Sequence, residues 1–226
     1  RGMGIGVARQ SSTVQYASPV FSGINAVVSY SPNNQETAAA GKKADGRVVG
    51  LTVQGTHGPA NWGWAYAQNA QNTPDTGSQG KATGNKLRGG YLYAPGANIS
   101  LFYIKVEQKN TGVLDATSSS VKQDGYGVVW EHTFGNFAVE ANWSKVKNAT
   151  GCTASASCSD TNNTTWFLGG RYNMSKRTSL MAFYLKYKNA SNYNADPVAG
   201  GMSSVVGTLA NGADPEVYGV GIQHNF

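Results

Sequence analysis

Charge is what this sequence has least of. Asp, Glu, Lys and Arg make up 13% of its 226 residues, about half the share in an ordinary soluble domain. A chain so poor in charge is usually apolar, yet its mean hydropathy is negative. The polarity must come from neutral side chains and from the 29 glycines. Long hydrophobic runs are also missing. Nothing approaches the ~18 consecutive apolar residues of a transmembrane helix, which excludes a helical membrane protein. Cysteine is nearly absent. Cys152 and Cys158 stand alone in GCTASASCSD, a spacing that fits no common zinc framework. They read as a disulfide closing a small exposed loop in an oxidising compartment, with two free thiols as the alternative. The three histidines, His57, His132 and His224, show neither H-E-x-x-H spacing nor a neighbouring G-x-S-x-G. No catalytic residue, metal site or cofactor is expected. In GSQGKATG, Lys81 is followed by Ala82, so a phosphate-binding loop is excluded and a plain loop is expected. The net charge of +6 is scattered, with tight pairs only at Lys42-Lys43 and Lys176-Arg177; nucleic-acid binders concentrate their charge, so that class is excluded too.

What is present is alternation. Segments of about ten residues, apolar on one side and rich in Asn, Ser, Thr and Gly on the other, are separated by turn chemistry, which is how a transmembrane β-strand reads. Strands are expected at 12–18, 24–30, 47–54, 61–68, 86–93, 99–108, 123–133, 137–145, 164–174, 178–188 and 216–226. Trp62, Trp64 and Tyr66 share a face, as do Phe137, Val139, Ala141 and Trp143. The run Leu101 to Ile104 is apolar throughout and leaves its strand's face open. Residues 69–85, with little apolar content, are expected to form a loop. The connections alternate short and long, the rhythm of a barrel with tight turns at one rim and long loops at the other. Aromatics near strand ends, among them Tyr16, Tyr30, Trp62, Tyr93, Trp143, Tyr172 and Tyr218, suit rings at two membrane–water interfaces.

The last strand, EVYGVGIQHNF, places Tyr218, Val220, Ile222, His224 and Phe226 on one face and Gly219, Gly221, Gln223 and Asn225 on the other. An alternating terminal strand that ends in Phe resembles the signal by which outer-membrane barrels are recognised for assembly, carried here by Tyr218, Val220, Ile222 and Phe226. With SSTVQYASPVFSG and SKRTSL, the chain resembles the general porins of Gram-negative bacteria, of the β-proteobacterial type.

That resemblance implies an all-β, antiparallel transmembrane barrel of about sixteen strands, assembled as a homotrimer in the outer membrane. It implies a non-enzymatic channel for passive diffusion of small hydrophilic solutes and ions, in contact with outer-membrane lipid. About eleven strands are readable, and closed bacterial barrels use even numbers. Residues 1–226 are therefore expected to be a single barrel domain lacking its N-terminal strands, with 1–10 the tail of a constriction loop. Strand parity puts Arg88, Arg171, Glu131 and Glu140 on polar faces, and Arg9 matches the returning constriction loop; these five are the expected charged pore lining. The diffuse positive charge points to weak anion preference. Two other readings are a barrel without a channel, serving as adhesin or enzyme scaffold, and a soluble β-sandwich binding module.

Overall fold

The computed structural model describes residues 12–32, 47–72, 79–109, 120–153, 158–193, 195 and 210–225. Eleven strands follow one another: β1 (Val14–Ala17), β2 (Ile24–Ser31), β3 (Val48–His57), β4 (Ala60–Asn72), β5 (Gln79–Ala94), β6 (Ala97–Lys109), β7 (Ser120–Phe134), β8 (Phe137–Val146), β9 (Asn163–Asn173), β10 (Thr178–Asn189) and β11 (Glu216–His224). They form one sheet in chain order, with β1 and β11 at its ends. No helix among the described residues is long and apolar enough to cross a membrane. The chain divides into two compact units, Arg1–Gly89 with Tyr103–Asp124 and Ala149–Cys158, and Gly90–Phe102 with Gly125–Asn148 and Ser159–Phe226.

Short connections join β1 to β2, β3 to β4, β5 to β6, β7 to β8 and β9 to β10; those from β2 to β3, β6 to β7, β8 to β9 and β10 to β11 are longer, and the one from β4 to β5 equals that from β1 to β2. The tight turns are made where the backbone permits them. At Pro95-Gly96 and Gly135-Asn136, the glycines have φ of 74° and 57°. A side chain is strained in that region, and two-residue hairpins need it.

The strands are longer than their apolar alternation suggests. Residues 79–85, expected to be loop, belong to β5, and 69–72 belong to β4. Polar residues on both faces carry no period, but the backbone ladder does not depend on one. Lys81 therefore sits in a strand.

Register fixes the faces. In the first unit, Ile24, Gly55 and Trp62 form one cross-strand row, Ala26, Val53 and Trp64 the next, and Tyr16, Val28, Leu51 and Tyr66 another. In the second, Trp130, Ala141, Leu168, Tyr184 and Tyr218 align, as do Phe134, Phe137, Tyr172, Leu180 and Ile222. These apolar rows are open to the exterior: Tyr218 is 84% exposed, Val220 89% and Ile222 68%. Buried apolar side chains among the described residues are few, namely Val48, Ala97, Phe102, Ile104, Val121, Val146 and Ala149. A water-soluble chain of this size would bury its Trp and Tyr rows. A contiguous exposed apolar surface of this extent is instead what hydrocarbon covers.

Candidate functional site: the polar face of the sheet

The opposite face carries Glu131, Glu140 and Arg171. In the second unit Glu131 pairs directly with Glu140, and Glu140 with Gly169. Two residues along, Thr133 pairs with Ala138 and Ala138 with Arg171. Arg171 is thus the diagonal neighbour of Glu140, a Cα separation of about 7–8 Å. Glu131, Glu140 and Arg171 line one concavity of about 470 Å³, together with Phe167 and Phe183. No ion pair joins Arg171 to either carboxylate among the described residues. The opposite charges stand beside one another, separated and accessible. Such an arrangement sets up a local field along the wall rather than a neutral bridge.

Asn98 holds one member of this acidic pair, Glu131, in place. Its amide donates to Glu131 Oε2 at 3.2 Å and to Ser100 Oγ at 2.9 Å. Arg171 also lines a second, more polar concavity of about 510 Å³ near the β9–β10 turn, with Lys176, Arg177, Gln223 and Asn225. The wall therefore runs from acid to base toward that turn. In the first unit, Arg88 lies in a concavity of about 360 Å³ with Asn25, Gln54, Asn61 and Trp62.

The structure thus groups three of the expected charged residues, Glu131, Glu140 and Arg171, and places Arg88 in a polar concavity of the other unit. Arg9 lies outside the described residues, as does residue 226, the Phe226 of the terminal signal. Asn98, Lys176 and Arg177 were not anticipated. Asn98 reads as part of a turn, and its strand's face is obscured by the Leu101–Ile104 run. The structure resolves that run: Phe102 and Ile104 are buried while Leu101 and Tyr103 are exposed on the apolar face. Lys176 and Arg177 sit in a turn, where strand parity says nothing.

Glycine shapes the wall around these charges. A Cβ at Gly127 would lie 2.6 Å from the Phe102 ring, and one at Gly169 2.7 Å from the Phe167 ring. Phe183 lies over Gly219 in the same way. Aromatic rings occupy the space that a side chain at each of these glycines would need.

Cys152 and Cys158 are joined by a disulfide, with Cα atoms 5.7 Å apart. Just before it, Thr150 and Lys122 exchange backbone hydrogen bonds of 2.8 and 2.9 Å, docking the start of the loop on β7. Among the described residues, no group of three or more His, Cys, Asp and Glu is placed to hold a metal ion.

Three comparisons bear on this two-faced sheet. A porin structure refined at 1.8 Å resolution shares 15% identity, with 94% of this chain and 60% of that one covered and a TM-score of 0.62. In-vitro-folded OmpT, an outer membrane protein of Vibrio cholerae, shares 18% identity over 95% of this chain and 64% of its own, with a TM-score of 0.66. The outer membrane channel DcaP of Acinetobacter baumannii shares 10% identity over 78% and 56%, with a TM-score of 0.57. At these identities the likeness is one of fold, and the chain spans less than two thirds of each of these proteins. A search of curated protein sequences returns no match. The family profile described as Gram-negative porin matches residues 1–192, most of the sequence, and with that match this chain belongs to the Gram-negative porin family, whose place is the bacterial outer membrane.

Proposed function

We propose that this chain builds the wall of a water-filled outer-membrane channel through which small hydrophilic solutes and ions diffuse down their gradients. The observation that supports it best is the division of each unit's sheet into two faces. Trp, Tyr, Leu and Val rows are exposed on one side. Gly, Asn, Ser and charges of both signs lie on the other. Hydrocarbon satisfies the first face and water the second, and the inter-strand ladder satisfies the backbone between them. Nothing is turned over in this reading.

Within it, Arg88, Arg171, Glu131 and Glu140 face the water, and the net charge of +6 gives a weak preference for anions. The homotrimer and the role of residues 1–10, Arg9 included, as part of a constriction rest on the family resemblance alone. Reconstitution of the protein into a planar lipid bilayer is the test. Stepwise, ohmic conductance is expected; a correctly folded protein that leaves the bilayer insulating would overturn the channel reading and favour a scaffold or adhesin.

A further inference from the structure

The apolar face of the second unit ends abruptly, and the ending is basic. One cross-strand row contains Val128, Trp143, Trp166 and Lys186. The next row toward the long connections contains Tyr126, Lys145, Thr164 and Lys188. All of these share the face of the exposed apolar rows. Lys186 is paired with Glu216 at 2.5 Å. Lys145 and Lys188 have no carboxylate partner among the described residues. Of the other acids nearby, Asp214 accepts the backbone N–H of Asn189 at 2.7 Å, and Asp160 accepts Ser191 Oγ at 3.2 Å. Lys147 adds a third ammonium, 5.6 Å from the centre of the Tyr126 ring.

Lys145 and Lys188 flank Thr164 from the strands on either side, so their Cα atoms are about 9–10 Å apart. Four-carbon stems let both ammonium groups converge over the Thr164 hydroxyl. The Trp143–Trp166 row below them marks the level where hydrocarbon meets headgroups. Lysines one row beyond lie where a lipid carries its phosphate, and they are too close to the apolar surface to serve the channel's water.

A second feature lies on the same face. Gly170 and Ala182 floor an apolar groove of about 620 Å³ walled by Phe137, Tyr172, Leu180 and Ile222. From Thr164 to Gly170 is about 20 Å along β9. At the usual barrel tilt that is about 15 Å along the membrane normal, half the hydrocarbon thickness. A headgroup on the lysines thus leaves its acyl chain ending at the groove.

We propose that Lys145, Thr164 and Lys188 form a binding site for the phosphate of an anionic lipid in the leaflet at the long-connection side, with the groove over Gly170 and Ala182 taking the end of its acyl chain. This rests on the reading of the apolar face as membrane-facing.

The test uses the protein in phosphatidylcholine vesicles, with quenching of tryptophan fluorescence by brominated-chain phosphatidic acid or brominated phosphatidylcholine. Phosphatidic acid should bind preferentially. Each lysine is worth about fivefold at an anionic surface, so K145Q/K188Q should reduce that preference by about tenfold or more, while K176Q/R177Q at the opposite rim should leave it unchanged. Bilayer conductance is measured on the same preparations. An undiminished preference in K145Q/K188Q with conductance intact overturns the lipid site and leaves the channel standing. Displacement of the lipid by millimolar inorganic phosphate overturns it as a lipid site and makes it a site for free phosphate. Loss of both insertion and conductance in the unmodified protein overturns the inference together with the membrane reading.

Discussion

Glycine and aromatic residues are coupled at single positions in this wall. Gly127 faces the Phe102 ring, and a Cβ there would also lie 2.5 Å from the backbone oxygen of Trp143. Backbone cannot swing aside as a flexible side chain can, so G127A overpacks the sheet and should cost about 1–3 kcal/mol. Gly221 on the same face has open space where its Cβ would be, and G221A should be close to neutral. Urea unfolding of detergent-folded protein separates the two, and equal midpoints would remove the packing role given to Gly127. The charged residues act singly too. A unit charge about 10 Å from a passing ion in water is worth about 0.4 kcal/mol, or roughly twofold in permeability. E131Q/E140Q should therefore raise the anion-to-cation permeability ratio by about twofold or more, and R171E should lower it. Reversal potential in a salt gradient measures both, and no shift in either variant would put these side chains outside the ion path.

Tyr93, Trp130 and His132 are polar groups on the apolar face that satisfy one another. Tyr93 on β5 reaches across β6, where Ala97 is fully buried, to β7. The Trp130 indole N–H donates to its hydroxyl at 2.7 Å, and the hydroxyl meets His132 Nδ1 at 2.8 Å. The His132 ring stacks on Phe134 at 3.8 Å. In lipid no water replaces a lost partner, so Y93F should destabilise the folded protein by about 1–3 kcal/mol. Y91F, nearby on the same strand, should have little effect; the difference in unfolding free energy in lipid vesicles is the measurement. Alternation made the faces of β3, β8, β9 and β11 legible from sequence, because Val, Trp, Leu and Tyr recur there at every second position. It could not show Tyr93 bonded to residues on a strand 37 and 39 positions later, since such contacts depend on register. It also missed the polar ends of β4 and β5, where both faces are hydrophilic, and the face of β6. There Phe102 is accommodated on the polar side by the missing side chain of Gly127, a compensation held on another strand.

At the scale of the whole molecule, everything depends on which face meets hydrocarbon, and β11 offers a direct comparison. Val220 belongs to the row of His132, Val139, Gly170 and Ala182, and Gln223 to the opposite face with Asn173 and Ser179. The two positions are three residues apart on the same terminal strand, so strand propensity and distance from the chain end are nearly matched. An arginine at the middle of a lipid-facing band costs about 2–4 kcal/mol, whereas one facing water in the lumen costs little. V220R should therefore lower folding stability in lipid vesicles by about that amount and reduce the yield of folded protein in the outer membrane, with Q223R near the parent on both measures. If the Tyr and Val rows stood in water instead, the ranking would disappear, because both arginines would then be solvated. Equal stabilities would contradict the channel at its base, since a sheet that shows no preference between its faces has no reason to hold water on only one of them.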